Sequence, residues 1–142
     1  GIFGHRDSQT LQYAARLGLA LQLINIIRDV GDDARRGRIY LPGDEMQRFE
    51  VKASDVLAGR YVDGFVPLMR FQTERARATY QEALTLLPEV DRKSQRPGLM
   101  MGAIYSALLA EIEHEKFQVL HQRIALTPLR KLWLAWRTWV RG

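Results

Sequence analysis

Apolar residues in this chain recur at helical spacing over long stretches, and this periodicity constrains the fold more than any other feature. Similar spacing is found in residues 7–34, 94–123 and 128–142. No segment alternates apolar and polar residues with β-branched enrichment, as a half-buried strand would. The chain is therefore predicted to be all-α. The clearest stripe lies between residues 63 and 88 and consists of Phe65, Leu68, Met69, Ala76, Tyr80, Ala83 and Leu87.

Composition restricts the class of protein without choosing a function. The 142 residues are 46% hydrophobic and 26% charged, which is the balance of a globular domain with a core. Cysteine is absent, so disulfides and thiolate chemistry are excluded, and a cytoplasmic location is expected. The net charge of +5 favours an anionic partner: nucleic acid, a phosphorylated small molecule or a membrane surface.

A polar stripe crosses the first predicted helix, which is otherwise largely apolar. Its residues lie three or four positions apart, within about 80° on one helix face. Buried carboxylates need compensation, and oxygen ligands of this kind favour Mg²⁺, which also bridges to phosphates. Asn25, Asp29 and Asp33 are therefore predicted to bind Mg²⁺. The alternative is a solvated helix end in which Asp29 pairs with Arg28 or Arg35. The complete stripe is Gln22, Asn25, Asp29 and Asp33.

Arginines follow this stripe directly, at positions 35, 36 and 38. Guanidinium groups suit multidentate recognition of phosphate, so acidic metal ligands beside arginines predict a metal–diphosphate site. The alternative is a basic, solvated loop. Because the arginines lie beside carboxylates and form no continuous basic stripe, no nucleic-acid partner is predicted.

Taken together, these residues resemble the second aspartate-rich signature of the squalene/phytoene synthase family. The pattern Q-x-x-N-I-x-R-D-x-x-x-D-x-x-x-G-R-x-Y-L-P runs from Gln22 to Pro42. Residues 74–80, 101–105 and 123–133 also resemble the family, so the resemblance covers nearly the whole chain. Residues 95–100 and 127–133 are most similar to the bacterial presqualene-diphosphate synthase branch.

The resemblance implies a helical bundle of the isoprenoid synthase type and a Mg²⁺-dependent prenyltransferase. The implied reaction joins two prenyl diphosphates head to head, with farnesyl diphosphate as the expected substrate and presqualene diphosphate or a squalene-type product. The alternatives are a phytoene synthase acting on geranylgeranyl diphosphate and a noncatalytic member that acts as an assembly protein. Roles in binding substrate are implied for Gln22, Asn25, Arg28, Arg35, Arg38 and Tyr40.

Catalytic roles are implied for Asp29, Asp33 and Tyr105. Periodicity alone makes Tyr105 an aromatic core residue, whereas the resemblance implies a tyrosine beside a carbocation intermediate in the cavity. The family has two facing aspartate-rich motifs, and this chain contains only the second. Residues 1–142 are therefore expected to be the C-terminal part of a single all-α isoprenoid synthase domain, inactive and prone to self-association when isolated.

The last predicted helix, residues 128–142, combines an apolar face with basic residues. Three tryptophans on that face suit a membrane interface, so one interpretation is a peripheral contact at the inner face of the membrane. The favoured interpretation is a terminal helix that docks on the bundle, and both hold if the docked helix borders the cavity mouth. The apolar face spans about 120° and comprises Leu129, Leu132, Trp133, Trp136, Trp139 and Val140.

Overall fold

The computed structural model describes the backbone of residues 4–141 and the side chains of residues 8–141. This part of the chain contains α-helices and one 3₁₀ turn, Glu89–Asp91, but no strand, so the all-α prediction is confirmed. The α-helices, in chain order, are α1 Gly4–Arg28, α2 Val30–Arg35, α3 Gly43–Arg48, α4 Ala53–Leu57, α5 Phe65–Leu86, α6 Arg96–His114 and α7 Pro128–Arg141.

The long helices pack against one another around two clusters of buried apolar side chains, a large one and a smaller one that contains Tyr13, Leu17 and Leu99. Helix α1 lies along α5, α6 contacts both, α2 packs on α4, and α7 lies on α6. Throughout residues 4–141, no helix combines the length and apolarity required to cross a bilayer. The largest completely buried core side chains include Ile24, Ile27, Phe65, Leu68, Met69, Leu109, Ile112, Phe117 and Val119.

A one-residue break at Asp29 separates α1 from α2, where the sequence predicts one helix as far as Ala34. Asp29 leaves helical geometry at φ −96° and ψ 10°. Gly31 then lies so close to the carbonyl oxygens of Val119 and Leu120 that a side chain there would collide with them. The helical segment begins at Gly4, before the predicted start at residue 7, and ends at Arg35, close to the predicted end, so the prediction was wrong at the start and at the break.

Helix α6 ends at His114, nine residues before the predicted end near Arg123. Lys116 and Phe117 adopt left-handed φ values of 57° and 60°, and the Phe117 amide donates to the Ile112 carbonyl oxygen at 2.9 Å. Neither position is a glycine, so the sequence carries no ordinary signal for this helix end. Burial of Phe117, Val119 and Leu120 in the core stabilises the turn instead.

Helix α7 begins as predicted from Thr127-Pro128, with the Thr127 hydroxyl accepting the Arg130 amide hydrogen at 3.2 Å. The helix docks on α6, as one of the two interpretations predicts. Its half-buried residues are Leu134, Ala135 and Thr138, whereas its three tryptophans remain exposed. Docking therefore leaves the apolar face open.

Candidate functional site

The end of α1 and the start of α2 keep the polar stripe aligned despite the break at Asp29. The Asp29 amide donates to the Asn25 carbonyl oxygen at 2.9 Å, and the Asp33 amide donates to that of Asp29 at 2.8 Å. The i, i+4 register therefore continues through the break. Gln22 lies exposed further back along α1, while the side chains of Asn25, Asp29 and Asp33 are partly buried.

Asp29 forms ion pairs with two arginines. Arg28 Nε and Nη2 donate to its carboxylate oxygens at 2.8 and 3.1 Å, and Arg123 Nε lies 3.6 Å from Oδ1. The hydrogen bond from Arg28 holds the pKa of Asp29 below its usual value, so the carboxylate is ionised at neutral pH. The pairing with Arg28 is the one that the solvated-helix-end interpretation predicts.

Asp33 is in a different electrostatic environment from Asp29. Burial raises the pKa of its carboxyl group, and the neighbouring negative charge of Asp29 raises it further. Arg36 and Arg38 oppose this effect. The two carboxylates therefore repel each other, and a cation between them would relieve this repulsion.

The donor set fits a hard divalent cation. The Asn25 side-chain oxygen is buried and accepts no hydrogen bond, although a buried acceptor ordinarily has a partner. Within the described side chains, no three Asp, Glu, His or Cys residues lie close enough together to hold a metal ion. An oxygen-only set of Asn25, Asp29 and Asp33, completed by waters and phosphate oxygens, matches the preference of Mg²⁺.

The residues predicted to bind phosphate do not all lie beside Asp29 and Asp33 in the structure. Arg35 donates from Nη1 to the Leu120 carbonyl oxygen at 2.8 Å and pairs with Asp32, so its guanidinium is engaged away from the carboxylate pair. Arg38 stays beside Asp33, since its amide donates to the Asp33 carbonyl oxygen at 2.8 Å. Tyr40 is exposed and borders the same narrow crevice as Asp33 and Arg38.

A cavity of about 450 Å³ adjoins Asp29 on the side of Arg28. Tyr105 lines it together with Arg28. The pKa of Arg28 is raised, first by Asp29 and then also by Tyr105, so the guanidinium is firmly charged. The cavity lining combines this cationic end with apolar walls: Arg28, Met101, Ile104, Tyr105, Leu108, Arg123, Ala125, Leu126 and Lys131.

Arg123 and Lys131 are cavity residues that reasoning about the predicted helices did not identify as part of the site. Both lie in the segment 123–133, which resembles the family, so the resemblance was the available signal. Their approach to Asp29 and Tyr105 depends on the irregular segment between α6 and α7, which helical periodicity does not describe.

The sequence model of the squalene/phytoene synthase family matches residues 1–130. The chain belongs to this family. It is 41% identical over 137 residues to a phytoene synthase of Mycobacterium tuberculosis, covering 94% of this chain and 45% of the relative. It is 40% identical over 129 residues to phytoene synthase 3, chloroplastic, of Zea mays, covering 91% of this chain and 30% of the relative.

Among solved structures, this squalene/phytoene synthase family member is similar to a dehydrosqualene synthase crystallised with a ligand. The TM-score is 0.74 at 28% identity, over 91% of this chain and 46% of that chain. The chain therefore spans less than half the length of each of these relatives. The two sequence relatives are phytoene synthases, whereas residues 95–100 and 127–133 were expected to resemble the presqualene-diphosphate branch.

Proposed function

We propose that the protein condenses two prenyl diphosphates head to head, with release of diphosphate. The observation that carries this proposal is the juxtaposition of Asp29, the guanidinium of Arg28 and the hydroxyl of Tyr105 at one end of an apolar cavity. A diphosphate requires cationic partners, and a prenyl chain requires apolar walls. This cavity offers both within the same 450 Å³.

Each residue has a defined task in this proposal. Asn25, Asp29 and Asp33 would hold Mg²⁺, which, when bound, neutralises the diphosphate and assists its departure. Arg28 donates hydrogen bonds to Asp29 and Arg123 forms an ion pair with it, and both guanidinium groups could turn from this carboxylate to diphosphate oxygens. Gln22, Arg35, Arg38 and Tyr40 remain predicted contributors to substrate binding.

Tyr105 and the apolar walls would protect the allylic cation that forms when diphosphate leaves. The ring of Tyr105 presents a negative face that stabilises positive charge, and its hydroxyl can donate to the departing diphosphate. Ile104, Leu108 and Leu126 help to exclude water, which would otherwise capture the cation. No protein nucleophile is needed.

We propose geranylgeranyl diphosphate as the substrate and phytoene as the product. The support is the similarity to phytoene synthases, which outweighs the expectation of farnesyl diphosphate and presqualene diphosphate. The test is incubation of the complete protein with Mg²⁺ and each diphosphate in turn, with products identified by mass spectrometry. Phytoene is the expected product. Preferential use of farnesyl diphosphate would instead support presqualene diphosphate as the product. Absence of any condensation would favour a noncatalytic assembly protein.

Residues 1–142 alone are proposed to be inactive and to self-associate. The sequence holds one aspartate-rich segment, whereas the family's chemistry uses two, and Leu11, Leu19 and Met101 expose apolar surface on long helices. Sedimentation analysis should detect concentration-dependent association of the isolated chain. Condensation of either diphosphate by the isolated chain would contradict the proposal.

A further inference from the structure

Helix α7 presents its most apolar face away from the bundle. It contacts α6 through Leu134, Ala135 and Thr138, and these residues lie on the opposite side of the helix from the exposed face. Leu132 is 68% exposed and Trp136 is 64% exposed, although a docked terminal helix usually buries such residues. The segment that makes up this face also carries four cationic residues and no acidic one.

Guanidinium groups lie over two of the tryptophan rings. Arg137 lies 5.0 Å from the ring centroid of Trp133, and Arg96 of α6 lies 4.7 Å from that of Trp139. Aromatic rings close to cationic groups are typical of side chains at a membrane–water boundary, where the rings enter the acyl region and the cations contact lipid phosphates.

We propose that this face of α7 binds an anionic phospholipid bilayer, with the helix lying in the plane of the interface. Fourteen residues span about 21 Å, which is shorter than the hydrocarbon core of about 30 Å, so the helix would lie on the membrane. A second copy of the chain is a poorer occupant, because pairing two such faces brings Arg137 and Arg141 of each copy together without a carboxylate from either α7.

A groove beside the face supplies a place for the lipid headgroup. Arg92, Arg137 and Arg141 line this groove together with the Tyr80 ring, and its volume is about 200 Å³. No carboxylate is among its lining residues. Guanidinium groups that line a groove without a neighbouring carboxylate can bind a headgroup phosphate. We therefore expect a preference for anionic lipid.

The test is flotation of the protein with vesicles of phosphatidylcholine, with and without phosphatidylglycerol, in the absence of substrate. Tryptophan emission reports burial of the rings. The complete protein and residues 1–142 should both float with phosphatidylglycerol vesicles at low salt and detach at high salt. The double substitution Leu132→Ala and Trp136→Ala should weaken partitioning at least about tenfold.

Two further variants make the result specific. Arg141→Gln should weaken partitioning about fivefold on anionic vesicles only. Leu57→Ala with Val90→Ala removes two other exposed apolar side chains, far from α7 in sequence, and should leave binding unchanged. All variants should keep the helical circular dichroism of the parent, since the substituted residues are exposed.

Several outcomes would overturn the proposal. One is failure of the parent chain to bind phosphatidylglycerol vesicles, and another is equal weakening by the control pair. Vesicle binding by residues 1–142 but not by the complete protein would show that another part of the protein covers the face. Dimerisation that is lost with Leu132→Ala and Trp136→Ala, without vesicle binding, would assign the face to a second copy.

Discussion

Gly31 is the position where the structure makes its sharpest prediction about how the site is held in place. A Cβ atom there would lie 2.3 Å from the Val119 carbonyl oxygen and 2.5 Å from that of Leu120, and ordinary contact begins at 3.4 Å. Backbone atoms cannot rotate away, so α2 and the 119–120 segment must separate by about 1 Å. Overpacking of this kind costs about 3 kcal/mol, and the better helix propensity of alanine returns about 1 kcal/mol.

Gly31→Ala is therefore expected to lower the free energy of unfolding by about 2 kcal/mol, which shifts the urea midpoint by about 1 M. Gly18→Ala in α1 is the matched control, because a Cβ atom at that position would meet no neighbouring atom within 4 Å. The control should stabilise the chain by about 0.5 to 1 kcal/mol. Urea unfolding followed by circular dichroism measures both. Equal stability of the two variants would refute the close approach of α2 to residues 119–120.

Polar contacts of Glu45 and of Arg35 stabilise the surrounding helices. Glu45→Gln should cost about 1 to 2 kcal/mol at pH 7, because Glu45 pairs with Arg75 and accepts a hydrogen bond from buried Gln72 at 2.6 Å. Arg75 lowers the pKa of Glu45 below its ordinary 4.5. The stability that ionised Glu45 contributes is therefore present above pH 4.5 and is lost as pH falls through the lower folded-state pKa. Unfolding measured at several pH values should show that the free energies of unfolding of the parent and of Glu45→Gln converge in acid. Arg35→Gln should cost about 1 to 2 kcal/mol in urea unfolding through loss of the Leu120 contact. A larger effect of Arg35→Gln on substrate affinity than on stability would support the predicted role of Arg35 in substrate binding.

Local spacing was sufficient to predict the polar stripe and most helices. Asn25, Asp29 and Asp33 share a face because an i, i+4 register survives the break in the helix. The start of α7 followed from Thr127 and Pro128, whose capping roles depend only on neighbouring residues.

Features set by tertiary contacts were not predictable from spacing. The end of α6 depends on burial of Phe117, and the engagement of Arg35 depends on where the Leu120 carbonyl lies. The sequence offered Arg28 and Arg35 as alternative partners of Asp29, and the structure selects Arg28 at the local break in the helix. Arg123 reaches Asp29 only because the irregular segment after α6 folds back along the bundle.

Asn25, Asp29 and Asp33 are proposed to form a Mg²⁺-dependent diphosphate site. Its most direct test is calorimetric titration of the complete protein with a non-reactive prenyl diphosphate analogue, with Mg²⁺ or with EDTA. Binding is expected only with Mg²⁺, and Asp29→Asn should abolish it while Asp44→Asn, at an exposed carboxylate in α3, preserves it. Binding of equal strength in EDTA, or unchanged binding by Asp29→Asn, would contradict the assignment.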